Sequence, residues 1–320
     1  MQLKTIAVAL FTLLLAAVAA GAPAVPQTGC AALYVTGNEL WSISSGGEAR
    51  LVAQDERGIN MPRWSPSGRR IAYVHDFQFG GDRVSDLVVI DSASGESVTT
   101  IPIAEERGFN DVLQLGWRGE KSVWTEGHTT PSSGIYYEWD VATGKASNEL
   151  WGAWFAPAPN GESVAHLAHV AHGAPPERAA AQVMIDDRVV YPAKDDERRH
   201  QIAGGFAWSG RDIVFVDRVN GEASVVSVDA ARGTVTRTLP LDDSSSVERI
   251  EIRPDRRGLV IQSTSGFFEA DFDAGRVRAL ADAPRGLRPM RVDVEGHRLI
   301  DTLAAGGARR TVVVEHLRCP

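Results

Sequence analysis

Cysteine and excess positive charge are both scarce in this chain. Two cysteines occur in 320 residues, too few for the disulfide framework of a small secreted domain or for a cysteine-rich zinc module. With 33 basic against 41 acidic residues the formal charge is −8, a balance that repels phosphate backbones. No basic run with interleaved aromatics offsets it, so nucleic acid is excluded as the expected partner. After Ala24 no apolar run approaches the roughly 20 residues a membrane span requires, and no transmembrane anchor is expected in the mature chain. No later segment carries a capped amphipathic helical stripe. Gly-x-Ser-x-Gly, His-Glu-x-x-His, Walker, dinucleotide and Cys-x-x-Cys signatures are all missing. That argues against common hydrolases, zinc proteases and nucleotide enzymes, and no cofactor is expected. Enzymes whose residues are scattered over a repeat leave no such motif and stay open.

The N-terminus is built like a leader. Lys4 is the only early charge, Ile6 to Ala20 is almost wholly apolar, and the small residues Ala20-Gly21-Ala22-Pro23-Ala24 follow. This is the pattern of a secretory signal peptide. Residues 1–24 are read as signal, with cleavage after Ala22 or Ala24, and 25–320 as one domain, periplasmic or secreted. A lipid anchor on Cys30 is the rival reading, but Gln27 stands where a lipobox wants leucine. In an exported protein the even pair Cys30 and Cys319 argues for a disulfide. Closing almost the whole domain would contribute about 4 to 5 kcal/mol in the chain-entropy model.

The rest of the chain repeats. Its clearest cassette is Pro62-Arg63-Trp64-Ser65-Pro66-Ser67-Gly68, then Ile71-Ala72-Tyr73-Val74, then Leu87-Val88-Val89-Ile90-Asp91 with a turn ending at Gly95. The Asp-x-x-x-Gly turn returns at Asp140/Gly144, Asp229/Gly233 and Asp271/Gly275, spaced 49, 89 and 42 residues apart. The Trp-turn element returns at Trp117 and Trp208, and more loosely at Phe155 and Ile252. Short runs rich in Val, Ile, Trp and Tyr, separated by Gly, Asn, Asp and Ser, are strands. Four per unit at a 40- to 50-residue period predict an all-β propeller of four-stranded blades, six favoured and seven the alternative. Ala31 to Val35 pairing beside Arg310 to Leu317 would close the ring and bring Cys30 to Cys319. Ring folds bring their ends together, so that disulfide and the repeat support each other.

The Met61–Gly95 cassette, with Leu40-Trp41-Ser42-Ile43-Ser44 before it, resembles the PD40 repeat of TolB-type propellers. The resemblance implies a propeller of the TolB, tricorn and dipeptidyl-peptidase amino-terminal type. It does not extend to TolB as a whole, which carries an α/β domain ahead of its propeller. A hydrolase domain of the prolyl-oligopeptidase kind is not seen either.

Several constellations invite chemistry. His75 and Asp76 end the second strand of the first full unit, Glu126 and His128 that of the second, and Asp217 and Arg218 that of the fourth. Residues at one end of equivalent strands are expected to ring one mouth, where they would bind a polar ligand or act in acid–base chemistry. Solvated strand ends are the plainer explanation. His166, His169 and His172 suggest a metal, but strand alternation sends His169 to the opposite face. Aligned with Tyr73, Trp124 and Phe215, His166 falls on a packing position; His75, His128 and His166 remain the weak metal candidates. The Asp-x-x-x-Gly turns resemble part of a calcium loop yet lack its later bidentate Glu, so turn chemistry explains them better. The tryptophans recur at one repeat position, which favours inter-blade packing over sugar stacking. Asp195 to His200 reads as a solvated connection. The function expected is an exported, non-catalytic binding or scaffolding propeller for a protein or cell-envelope component. The alternative is a lyase or hydrolase acting on a polysaccharide or small polar substrate at one mouth.

Overall fold

A computed structural model describes residues 31–44, 49–79, 82–103, 111–130, 133–168, 182–192, 200–242, 246–253, 257–280, 290–295, 298–299 and 310–318. They form 25 strands. The first three are β1 (Ala31–Thr36), β2 (Glu39–Ser44) and β3 (Ala49–Gln54). Next come β4 (Asn60–Trp64), β5 (Arg70–Phe79), β6 (Asp82–Asp91) and β7 (Ser97–Ile101). A longer series follows: β8 (Val112–Arg118), β9 (Ser122–Thr130), β10 (Ser133–Asp140), β11 (Ala146–Pro157), β12 (Val164–Ala168), β13 (Val183–Ile185) and β14 (Arg188–Tyr191). Then β15 (His200–Ser209), β16 (Asp212–Val219), β17 (Glu222–Asp229) and β18 (Thr234–Leu241) precede β19 (Val247–Ile252), β20 (Gly258–Ser263), β21 (Gly266–Asp271) and β22 (Arg276–Leu280). The last are β23 (Met290–Glu295), β24 (Arg298–Leu299) and β25 (Arg310–Arg318).

β4–β7, β15–β18 and β19–β22 are separate four-stranded antiparallel sheets, blades II, V and VI. β8 to β14 run in sequence order through one seven-stranded sheet. It is two blades sharing a strand: β10 pairs with residues 146–152 of β11 and β12 with residues 152–157. Blade III is thus β8–β11 and blade IV β11–β14. The remaining sheet has the order β24-β23-β25-β1-β2-β3. In it Ala31 faces Arg318 and Ala32 faces Leu317; β25-β1-β2-β3 is blade I. The described strands therefore make six blades. Cys30 and Cys319 lie outside the described residues, as does the leader.

The second strands are apolar on both faces because both faces are buried. Ile71 and Tyr73 of β5 pack with Leu33, Leu40 and Trp64 on the blade I side. Ala72 and Val74 pack with Val123, Ile135 and Trp139 of blade III. The same alternation places Ile213 and Phe215 against blade IV and Val214 and Val216 against blade VI. The core is thus a series of layers between blades, not one central mass.

Local chemistry builds the turns. Asp91 Oδ1 accepts the N–H groups of Ala93 and Ser94, both at 2.9 Å, while Gly95 N donates to Asp91 O and takes φ +76°. Asp140 and Asp229 repeat the arrangement with Gly144 and Gly233 at φ +68°. The carboxylates are occupied by turn N–H groups, as expected for turns rather than calcium loops. The tryptophans pin blades together: Trp117 Nε1 donates to Arg63 O of blade II at 3.0 Å and Trp208 Nε1 to Ala156 O of blade IV at 2.8 Å.

Three features depart from expectation. Asp186 ends no long run; β13 is three residues, and Asp186 sits at φ +51° in a tight turn with its Oδ1 on Val164 N at 2.8 Å. The ladder pairs Asp91 with Arg70, Asp140 with Ser122 and Asp229 with Asp212, so Thr125, not Trp124, matches Tyr73 and Phe215. Every first strand of blades II to VI also carries a register shift within its ladder to the second strand. In three of them a left-handed residue lies within the shift: Met61 (φ 53°), Trp154 (φ 58°) and Gly205 (φ 80°). These β-bulges bend each inner strand.

An ion pair at the blade III–IV seam was not foreseen. Arg118 Nη1 meets Glu138 Oε1, and Arg118 Nε donates to Gly161 O at 2.7 Å. Tyr136 Oη and Asn148 Nδ2 complete the Glu138 shell, each at 2.9 Å.

Candidate functional site at the ends of the second strands

The ladder places His75, Gly127 and Asp217 at equivalent positions, with Glu126 one residue earlier. They share one end of the molecule, but their side chains enter different seams. The structure does not gather them into one site.

His75 is 1% exposed in the blade I–II seam. Its Nε2 meets Asp55 Oδ2, and Tyr73 Oη donates to the same oxygen at 3.0 Å. Asp55 comes from the turn after β3. Burial alone would raise its pKa, but the hydrogen bonds from His75 and from the Arg57 N–H outweigh this and hold it below the ordinary carboxylate value. Burial, with the Asp55 charge beside it, pushes the Tyr73 phenol upward. Arg57 extends the group to Asp86 at 3.1 Å. His75 is thus a link between blades.

Glu126, 2% exposed, faces the blade III–IV seam. Its Oε1 accepts the N–H of the bulge residue Trp154 at 3.2 Å, while Oε2 has no hydrogen-bond partner. Burial raises its pKa, only partly offset by the N–H groups of Trp154 and Phe155. His128, two residues on, is exposed, and its N–H donates to Asp111 O at 2.9 Å. The side chain of Asp76 lies outside the described residues, and Arg218 is half-buried on the face of β16 opposite Asp217.

His166 is 3% exposed and stacks on Phe155 at 5.2 Å. Its Nδ1 lies 2.9 Å from Leu167 O and its Nε2 2.8 Å from Asp186 O. Both nitrogens are turned to backbone carbonyls inside the seam, so neither points to open space where a metal could reach it. His169 and His172 lie outside the described residues. Among the described residues no group of three His, Cys, Asp or Glu side chains is placed to hold a metal.

Asp217 lines a cavity. It is 1% exposed and reaches the blade IV–V seam. Tyr191 Oη, from the end of β14, donates to Asp217 Oδ2 at 2.6 Å. His200 Nδ1 lies 2.6 Å from the same oxygen, and Gln201 N donates to Oδ1 at 3.2 Å. An imidazole held at Nδ1 by a carboxylate has its Nε2 oriented outward, the geometry that can serve proton transfer. Beside it opens a cavity of ≈ 290 Å³ lined by Tyr191, Asp217, Asn220, Glu222, Ser224 and Thr238 among others. As the last residue of the charged run from Asp195, His200 is expected on a solvated connection. Instead it starts β15 and is half-buried against Asp217. Nothing local in the sequence marks its pairing with Asp217, 17 residues later.

No protein-family model matches the chain, and no curated protein is similar to it in sequence. Solved structures are similar. The β-propeller domain of the Trilobed protease from Pyrococcus furiosus superposes with a TM-score of 0.52 at 11% identity, covering 77% of this chain and 75% of that one. The WD40 β-propeller domain of Doa1 gives 0.50 at 14%, covering 80% of each. TolB from Acinetobacter baumannii gives 0.46 at 17%, and this chain spans 66% of its length. At such identities the likeness carries the fold alone. The chain is a β-propeller, the fold implied by the resemblance of its Met61–Gly95 cassette to PD40 repeats.

Proposed function

We propose that the chain is exported and acts as a non-catalytic binding or scaffolding propeller for a protein or cell-envelope component. The reading rests on the fate of its acid–base residues. His75 is bonded to Asp55 in the blade I–II seam, while Glu126 and His166 both face the blade III–IV seam and bond to backbone groups there. A surface for a partner has a natural place. Connections leaving the second and fourth strands share the end that carries His75 and Asp217, and they vary in length; the longest, residues 169–182, follows β12. Turns at the opposite end are short and built on Asp–Gly chemistry. A scaffold with one uniform end and one varied end suits recognition by loops.

The Ala31–Arg318 pairing supports a Cys30–Cys319 disulfide, since the two cysteines directly flank it. Oxidised, unreduced chain should yield a peptide carrying both cysteines by mass spectrometry. The function is tested by crosslinked pull-down from envelope extract. The intact propeller should recover a partner that a variant with residues 170–181 replaced by a short Gly-Ser turn does not. Recovery of nothing above background, in repeated crosslinked experiments, would sink the proposal.

A further inference from the structure

We propose that the cleft between blades IV and V binds a small organic cation that donates N–H hydrogen bonds, a primary amine being the simplest. The proposal is independent of any protein partner. The cleft sits where β14 ends at Tyr191 and where β16 turns into β17 through Asn220 and Gly221, at φ +52° and +92°. Its volume, ≈ 290 Å³, is at the lower end of the range for small-molecule sites. Among the described residues the lining is rich in acceptors and has no lysine, arginine or histidine: Asp217, Glu222, Asn220, and the hydroxyls of Ser224, Thr238 and Tyr191. Only Val219 and Val226 of the lining are apolar.

The two carboxylates play different parts. Asp217 Oδ2 is saturated by Tyr191 Oη and His200 Nδ1, whereas Oδ1 receives a single long bond from Gln201 N at 3.2 Å. A carboxylate oxygen takes about two donors, so Oδ1 retains capacity on a fixed, buried group. Glu222 stands exposed at the start of β17 and forms no ion pair among the described residues. A ligand seated here meets one rigid acceptor at the base and one mobile carboxylate at the lip. Among the described residues the lining offers two carboxylates and neutral acceptors, with His200 on the far oxygen of Asp217 as the basic group beside them, a set that selects a positive donor over an anion or an apolar group.

The test uses 1,4-diaminobutane as probe and 1,4-butanediol as its uncharged match, titrated into the full-length mature protein by calorimetry and by amide NMR. The diamine should bind saturably and shift the amides of Asn220 to Ser224, while the diol should bind at least tenfold more weakly. Glu222→Gln, at an exposed position, should keep the fold and weaken the diamine about tenfold, a loss of about 1.4 kcal/mol. Thr238→Val provides a second variant that leaves both carboxylates in place and should weaken it less. Absence of saturable diamine binding, equal binding of the diol, or unchanged affinity in Glu222→Gln would each overturn the proposal.

Discussion

Replacing Glu138 by glutamine asks how firmly the blade III–IV seam depends on one buried charge. The Glu138 side chain is 8% exposed and that of Arg118 15%. The carboxylate receives three donors: Arg118 Nη1, Tyr136 Oη and Asn148 Nδ2. An amide of the same shape can accept at one end only and turns its own N–H2 toward a donor. It also leaves the guanidinium buried without a counter-charge. Removing one member of a buried pair costs about 3–5 kcal/mol; the slight exposure of Arg118 favours the lower figure, about 3. For a domain of this size each kcal/mol moves Tm by about 2–4 °C, so a fall of about 6–12 °C is expected, with a matching drop in the urea midpoint. The double change Arg118→Met with Glu138→Leu removes both charges. It leaves no charge unpaired but strips Tyr136 Oη, Asn148 Nδ2 and Gly161 O of their partners, each costing about 1–3 kcal/mol where buried, so it should be no more stable than Glu138→Gln. Should Glu138→Gln unfold within about 0.5 kcal/mol of the parent, close to what an ordinary surface change does, the seam does not rest on this pair.

Three further outcomes are expected. Trp208→Phe keeps an aromatic side chain but loses part of the indole's packing and its bond to Ala156 O, and should cost at least about 1 kcal/mol in chemical denaturation, with no change in the far-ultraviolet spectrum. Gly95→Ala should destabilise far more than Gly37→Ala. Both glycines have positive φ, but a Cβ at Gly95 would run into Val52 O while Gly37 faces open space; equal effects in thermal melts would contradict the seam geometry. Glu126 has a folded pKa above its unfolded one, so the native state binds more protons, and parent stability should decline as pH rises through and above the ordinary carboxylate range. Glu126→Gln should flatten that slope and be more stable than the parent at neutral pH, while a parallel pH profile would remove the desolvation argument.

The sequence made the blades readable because blade chemistry is local. Asp91 bonds to residues two and three positions on, and Gly95 closes the same turn. The pairing of the first strand with the last, found over Ala31 to Tyr34, was likewise foreseeable, since strand propensity and the unit count left both ends incomplete. The candidate site was harder, because its partners sit on neighbouring blades. Asp55 belongs to a turn 20 residues before His75, and Tyr191 precedes Asp217 by 26. Trp124 was placed one position out of register, and in a strand one position exchanges the two faces. The inner-strand bulges carry no shared residue type: Met61, Trp154 and Gly205 all adopt the left-handed conformation. Only the glycine would have drawn notice.

The continuous strand β11 has a consequence for how the molecule comes apart. Blades held by side-chain packing alone can loosen one at a time, as neighbours in a linear array. Blades III and IV instead share a backbone, with Gly152 hydrogen-bonded into both halves of the ladder. Opening either one strips pairing from the other. The two should exchange their amide hydrogens as a single cooperative block, leaving the seams on its flanks, against blades II and V, as the places where breathing begins.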